Sequence, residues 1–325
     1  RIPTVGEDVV VGARSVAGAD GGVSAVNLTV ARGDSETDLG TVQMKPQEDG
    51  SLWGTVTWTP EQDGFYELRA NSPDGGELIA EKRVAVTARP MYFMWYGHGP
   101  DLQWATGVTP PPDEAETRQL YRDRGIRLLD WKGARHNTAE AAAGSWTKFG
   151  DDDGIAIDEI GFYDRSAKAE KRGAELLEAL GLFKAQKPEA FLAVWHAGSL
   201  TVPAANAYRQ HADVAMLEAY RQYIRGAFNT HSFYDYIDQR VQMARRMDVL
   251  EKCIIGLGIT RARGGVTVAE IRRSVDHIRL VAPESPGLAW FCYSGPNRVD
   301  PDVLHAADQV ALEYFLRPCL MIRNW

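Results

Sequence analysis

The sequence predicts a multidomain protein in two parts. Residues 1–88 should form an N-terminal all-β immunoglobulin-like sandwich, and residues 89–325 an α/β (β/α)8 TIM barrel. The first part has short alternating apolar runs between Gly- and Asp-rich turns, with no helical period. The second part alternates short apolar runs with helical segments, which is typical of a parallel sheet covered by helices.

The N-terminal part contains six apolar runs that we interpret as strands, at 8–13, 25–31, 40–44, 52–58, 65–70 and 79–87. The turn Asp63-Gly64-Phe65-Tyr66 resembles the one that introduces a tyrosine-corner strand. We interpret this part as an ancillary module. The alternative is carbohydrate binding through Trp53 and Trp58, although five residues of separation place them on opposite faces of one strand.

The second part contains a series of eight predicted strands with seven helices between them. The strands are 91–96, 126–130, 154–160, 191–196, 213–218, 253–259, 287–293 and 319–323. The helices are 113–124, 138–145, 165–184, 202–211, 231–250, 268–281 and 301–315, and Asp113 and Asp300 are the expected capping residues of the first and last. This count indicates a (β/α)8 barrel. The alternative, a doubly wound open sheet, is weakened because no GxGxxG follows the first strand.

Charge and composition exclude several classes of partner. The net charge is −8 and no basic cluster stands out, so neither nucleic acid nor an anionic membrane surface is expected. No apolar run approaches the roughly 18 residues of a membrane span. The chain opens with Arg1-Ile2-Pro3, without methionine, and we expect a secreted, periplasmic or cell-surface protein that has lost a leader.

Metal-ligand spacings are absent from the sequence. There is no HxH, HExxH or CxxC, so we expect neither a metal nor a cofactor, and we interpret the three cysteines as buried apolar residues. The run Asp151-Asp152-Asp153 could bind calcium, but a solvated acidic turn is the better interpretation.

Carboxylates at predicted strand ends are the candidate catalytic residues. Asp158 and Glu159 end the third strand and Glu218 ends the fifth, where the loops of a barrel converge. Glycoside hydrolysis requires two carboxyl groups across the scissile bond, one protonated and one ionised. Alternation along the strand sends one of Asp158 and Glu159 into the barrel mouth; the neighbouring Ala156 slightly favours Asp158.

Aromatic and polar residues at the same strand ends form a predicted substrate-binding set. Aromatic rings stack on the apolar faces of sugars, while charged and imidazole groups bind hydroxyls. The set comprises Trp95, His98, Asp130, Trp131, Lys132, Trp195, His196, Tyr220, Trp290 and Tyr293.

Two motifs resemble a known family. The stretch 153–159, DGIAIDE, followed by 212–218, ADVAMLE, is similar to the spherulin-4-like and endo-α-1,4-polygalactosaminidase glycosidases. The resemblance implies a (β/α)8 barrel that cuts galactosamine-containing microbial polysaccharides, with Asp158, Glu159 and Glu218 in the catalytic places. It covers two short segments and their spacing, and neither the N-terminal part nor residues 136–149.

The sequence therefore predicts a glycoside hydrolase that cleaves a microbial or other extracellular polysaccharide. In this hypothesis Glu218 is the general acid/base, Asp158 the nucleophile or electrostatic stabiliser, and Glu159 orients Asp158 or binds substrate. Two alternatives stay open: a non-catalytic glycan-binding or adhesion protein built on a barrel, and a metal-dependent lyase or hydrolase that uses the acidic cluster.

Overall fold

The computed structural model describes most of the chain. Most of the described residues fall into two compact units, Ile2–Pro90 and Met91–Phe315. Among them, no helix is both long and apolar enough to cross a membrane. The described residues are 2–15, 23–47, 50–73, 77–97, 99, 102–136, 138–161, 167–220, 230–260, 266–292 and 299–316.

The first unit is built from two antiparallel sheets. Its strands are β1 (Val9–Ser15), β2 (Ala25–Arg32), β3 (Ser35–Gln43), β4 (Lys45–Pro46), β5 (Leu52–Trp58), β6 (Gly64–Asn71) and β7 (Leu78–Val86). One sheet has the order β1-β5-β4 and the other β3-β2-β6-β7. Each predicted run coincides with a strand, and the two-residue β4 is an addition.

A single apolar core joins these two sheets, since Val11 and Trp58 of one cluster with Leu28 and Tyr66 of the other. The Trp58 and Tyr66 rings meet edge to face at 5.0 Å, and the Tyr66 hydroxyl donates to the Gln62 carbonyl at 2.8 Å. Trp58 is therefore a core residue of this unit and is not available as a surface for sugar stacking.

The second unit is a closed barrel of eight parallel strands. They are β8 (Tyr92–Tyr96), β9 (Gly107–Thr109), β10 (Arg127–Gly133), β11 (Gly154–Ile160), β12 (Phe191–His196), β13 (Val214–Ala219), β14 (Cys253–Gly258) and β15 (Gly287–Phe291). Around the barrel the order is β10-β11-β12-β13-β14-β15-β8-β9. The barrel is closed, so the doubly wound alternative is wrong.

The eighth strand of the barrel is β9, which the sequence did not predict. It pairs with β8 at Met94↔Gly107 and with β10 at Arg127↔Gly107. The barrel closes where β15 pairs with β8 at Trp290↔Trp95. The predicted last strand, 319–323, lies outside the described residues and is not needed for closure. A three-residue strand with no helix before it carries too little periodicity to be recognised.

In the described parts of the second unit, seven α-helices cover the barrel, at the places the sequence predicted. They are α1 (Ala115–Asp123), α2 (Ala139–Trp146), α3 (Ala167–Gln186), α4 (Val202–His211), α5 (Thr230–Arg246), α6 (Val268–Val281) and α7 (Pro301–Val310), the last continued by a π-helix, Ala311–Leu316. Threonine caps α2, α4 and α6 through Thr138, Thr201 and Thr267. The N-cap of α1 is Glu114 instead of Asp113, and Asp300 occupies the N-cap of α7 without a side-chain capping bond.

Small and apolar side chains fill the barrel interior. Ala156, Ala193, Met216 and Ala289 belong to one buried cluster, and they come from alternate positions along their strands. The next position of the same parity on β11 is Asp158 and on β13 is Glu218. The pattern that packs the interior therefore also directs these two carboxyl groups inward, towards the end of the barrel where the strands finish.

A buried carboxylate on α7 fixes the segment between β8 and β9. Asp308 is 3% exposed, and its two oxygens accept the backbone N–H groups of Gln103 and Trp104, each at 3.0 Å. Burial raises the pKa of Asp308 to about 6, so at neutral pH the carboxylate is ionised and accepts both bonds.

We predict that Asp308→Ala lowers the free energy of unfolding by about 1–3 kcal/mol, because two part-buried donors lose their acceptor. The matched control is Asp302→Ala, an exposed position in the first turn of the same helix, with an expected change below about 1 kcal/mol. Urea denaturation at neutral pH measures both. Equal stabilities of the two variants would show that Asp308 does not hold this segment.

Candidate active site

Asp158 faces the barrel interior and is held by two aromatic donors. The Tyr96 hydroxyl donates to Asp158 Oδ2 at 3.1 Å, and Trp131 Nε1 donates to the same oxygen at 3.2 Å. Burial raises the pKa of Asp158 above its usual value, and the bonds from Trp131 and Tyr96 oppose that rise by stabilising the charged form. Asp158 is thus a half-buried carboxylate with two side-chain hydrogen-bond donors.

Glu159 takes the opposite direction and is exposed. Its φ of 58° lies in the left-handed region, and the register between β11 and β12 shifts between Ile157 and Ile160. A non-glycine residue in this region costs of order 1–3 kcal/mol. The strained turn brings the Glu159 backbone N–H to the Asp158 carboxylate, where its bond lowers the pKa of Asp158.

Glu218 lies at the end of β13, with its side chain in the barrel mouth. Burial first, and then the charges of Asp158 and Glu159, raise its pKa to about 8. The charge of Arg240 on α5 and a hydrogen bond from Tyr220 act in the opposite direction. At neutral pH Glu218 therefore carries a proton, whereas the hydrogen bonds that Asp158 accepts favour its charged form.

Four aromatic rings enclose this carboxyl pair. Tyr96 meets Trp195 edge to face at 5.5 Å and Phe291 at 5.1 Å, and Tyr220 stacks on Phe291 at 4.7 Å. Of these, Trp195 and Tyr220 were predicted and Tyr96 and Phe291 were not. The alternation of side chains along a strand could have identified both. Tyr96 lies two residues after the inward-facing Met94, and Phe291 lies two residues after the inward-facing Ala289.

The predicted set of sugar-stacking tryptophans is corrected by burial. Trp95 and Trp290 alternate with the inward-facing residues of their strands, so their side chains point out of the barrel. There they pack against each other, and each is 1% exposed. Trp195 faces inward but is 0% exposed, so it is packed into the interior and presents no ring face to a sugar. Trp131, at 43% exposed, alone among these four offers a ring to solvent.

Asp130 and Lys132 also point away from the interior, because Leu129 and Trp131 occupy the inward positions of β10. They form an ion pair at 2.7 Å, and Lys132 Nζ donates to the Lys148 carbonyl at 2.6 Å. The structure therefore does not bring this pair to the carboxyl site.

His196 is a core residue between β12 and α4. It is 0% exposed, and its Nδ1 lies 2.7 Å from the Tyr208 hydroxyl. Burial, followed by the charge of Arg240, lowers the pKa of His196 to about 3, so the ring is neutral. It does not reach the barrel mouth. His98 and Tyr293 lie outside the described residues.

No group of three or more His, Cys, Asp or Glu side chains suited to a metal ion occurs in the described parts of the chain. Asp151 and Asp152 of the acidic run pair with Arg118 at 3.2 Å and at 2.5 Å. Cys253 and Cys292 are buried free thiols whose pKa burial raises to about 12. Cys319 lies outside the described residues.

No protein-family model and no curated protein matches the chain. Several solved structures are similar to it. An endo-β-N-acetylglucosaminidase from Cordyceps militaris is 12% identical, with 68% of this chain and 90% of that chain covered and a TM-score of 0.46. The PgaB (BpsB) glycoside hydrolase domain from Bordetella bronchiseptica is 11% identical, with coverages of 66% and 87% and a TM-score of 0.42. Bee venom hyaluronidase is 13% identical, with coverages of 72% and 88% and a TM-score of 0.32. At such low identities and TM-scores these similarities carry no argument about activity.

We predict that His196 makes the protein sensitive to acid. The unfolded chain binds a proton at His196 below about pH 6.5, whereas the folded chain resists protonation until about pH 3. Stability is therefore lost as pH falls through this range. His196→Asn keeps an amide atom near the Nδ1 position for Tyr208. This variant should lose less folding stability than the wild type as pH falls.

The measurement is urea denaturation of the wild type and of His196→Asn between pH 7 and the acid limit of folding. Leu280→Asn, at an exposed position on α6 without a titratable side chain, is the control and should keep the wild-type slope. A slope unchanged in His196→Asn would contradict a buried, neutral His196.

Proposed function

We propose that the protein is a glycoside hydrolase that cleaves a microbial or other extracellular polysaccharide. One observation carries the proposal: Asp158 and Glu218 point into the same aromatic-lined barrel mouth, where Asp158 accepts hydrogen bonds that favour its charged form and the pKa of Glu218 is raised to about 8. A protonated acid beside an ionised carboxylate is the arrangement that glycosidic bond cleavage requires.

In the proposed reaction, protonated Glu218 gives its proton to the glycosidic oxygen as the bond from that oxygen to the anomeric carbon breaks. Asp158 stabilises the positive charge that develops on the sugar ring, either electrostatically or by forming a covalent bond. The Glu218 carboxylate then takes a proton from water as the water oxygen attacks the anomeric carbon. Where Asp158 has bonded to that carbon, this bond breaks in the same step and its electron pair returns to the carboxylate, which restores the starting enzyme. Tyr96 and Trp131 hold the Asp158 side chain in one orientation throughout.

The two motifs at 153–159 and 212–218 extend this proposal to the spherulin-4-like and endo-α-1,4-polygalactosaminidase glycosidases. Their resemblance supports Asp158, Glu159 and Glu218 as the catalytic set, and the inward placement of Asp158 and Glu218 fits it. Glu159 would then orient Asp158 through its backbone N–H.

We propose an ancillary immunoglobulin-like module for residues 1–88 and the catalytic domain for residues 89–325. Support for the module comes from the bond between the Tyr66 hydroxyl and the Gln62 carbonyl, since a tyrosine corner makes such a bond to the backbone a few residues upstream. Action on an extracellular polysaccharide would place the protein outside the cell, at the surface or in the periplasm.

Glycan binding without catalysis is the competing function. Binding alone explains the aromatic rings and the hydroxyl-binding groups. It does not require a glutamic acid, Glu218, whose pKa is raised to about 8. The two functions are separated by turnover.

We predict that Glu218→Gln and Asp158→Asn each lower turnover roughly a hundred- to ten-thousandfold, because an amide neither donates the proton nor carries the charge. The measurement is release of reducing ends from a panel of bacterial and fungal polysaccharides. Glu178→Gln, on the exposed face of α3, is the control and should behave as wild type. Folded variants with near-wild-type rates would contradict the assignment, and a folded wild type that binds but does not cleave would favour the competing function.

We also predict the shape of the pH profile. The value of kcat/KM should fall as pH rises through about 8, because Glu218 then loses the proton it donates. The acid limb should lie above the usual range of an aspartate, because the pKa of Asp158 is raised. A profile that stays flat well above pH 8 would show that Glu218 is not the acid.

A further inference from the structure

Trp131 is in an unusual position for an inward-facing barrel residue, because it is 43% exposed while it also holds a catalytic candidate. Its indole Nε1–H donates to Asp158 Oδ2 at 3.2 Å. Tryptophan has a single hydrogen-bond donor, so this contact uses all of its polar capacity. What remains exposed is the apolar ring.

The opposite edge of the indole lies over Gly133. A Cβ built on Gly133 would lie 3.3 Å from Cη2 of Trp131, so a larger residue here would displace the ring by a few tenths of an ångström. Gly133 pairs with Asp158 across β10 and β11, so both neighbours of the ring lie at the same level of the barrel. The indole is bonded to Asp158 at one edge and has room at the other because residue 133 is glycine.

We propose that Trp131 is at once the stacking platform for a pyranose ring at the cleavage site and a positioning residue for Asp158, with Gly133 setting the pose. This inference rests on the proposed function and deepens it. A ring that is already hydrogen-bonded in one pose loses less conformational freedom when a sugar stacks on it. The substrate class is a pyranoside with an unsubstituted apolar C–H face.

The same contact couples binding to chemistry. A displacement of the indole lengthens its bond to Asp158, so a ligand that stacks in the fixed pose also holds the donor in place. Tyr96 donates to the same oxygen but is 4% exposed, so it positions Asp158 without offering a surface to the sugar. Tyr96→Phe is therefore the matched control for the loss of one donor.

The first measurement needs no substrate. Carbon NMR titration of labelled aspartate carboxyls should show a higher pKa for Asp158 in Trp131→Phe, in Gly133→Ala and in Tyr96→Phe, because each change removes or weakens a donor to the charged form. An Asp158 pKa unchanged in Trp131→Phe would overturn the positioning role.

The second measurement uses fluorotryptophan-labelled protein and fluorine NMR, with the Trp131 resonance assigned by its absence in Trp131→Phe. The probes are methyl β-D-galactopyranoside, methyl β-D-glucopyranoside, cellohexaose and N-acetylchitohexaose. At least one should move the resonance. Gly133→Ala should weaken that binding about two- to tenfold, and Glu178→Gln, on the exposed face of α3, should leave it unchanged.

A Trp131 resonance that no probe moves, or binding equal in Gly133→Ala and wild type, would overturn the stacking role. These outcomes are independent of turnover. If the polysaccharide panel is not cleaved but the probes move Trp131, the proposed function fails and the platform stands. If cleavage occurs and the probes leave Trp131 unmoved, the reverse holds.

Discussion

The strict alternation of side chains along parallel strands is the constraint on which the candidate site depends. It sends Ala156 and Met216 into the barrel interior, and it gives Asp158 and Glu218 the same direction two residues later. Fold stability requires the first pair to face inward. The orientation of the carboxyl groups therefore follows from packing and needs no separate device.

Placing two carboxyl groups in an apolar enclosure is costly, because the charged form loses its hydration. The two carboxyl groups differ in how far hydrogen bonds compensate for this cost. Asp158 accepts bonds from Tyr96, Trp131 and the Glu159 backbone. At Glu218, burial and two neighbouring negative charges outweigh the bond from Tyr220 and the charge of Arg240. The uneven supply of donors is what separates the protonation states, and a proton donor beside a charged stabiliser follows from it.

The sequence was sufficient for what depends on periodicity. Seven of the eight strands of the closed barrel, the seven described helices and the inward preference of Asp158 follow from apolar spacing and from the small side chain of Ala156. It was insufficient where a contact depends on three dimensions. Trp95, Trp195 and Trp290 read like a sugar-binding rim, but two face the helices and the third is packed into the interior. His196 lies at the end of a strand, as a site residue would, but side-chain alternation points it out of the barrel towards Tyr208.

The three-residue β9 gave no periodic signal, and nothing in the local sequence shows that Gly133 lies beside the Trp131 ring.

The central claim is that Glu218 is a proton donor at neutral pH because it is buried beside a charged Asp158. Carbon NMR titration of the wild-type protein, with labelled glutamate and aspartate carboxyls assigned by Glu218→Gln and Asp158→Asn, tests it directly. The expected result is a Glu218 carboxyl that titrates near pH 8 and an Asp158 carboxyl that loses its proton at lower pH. A Glu218 that titrates in the usual range of a glutamate, or a pair that titrates together, would contradict the account.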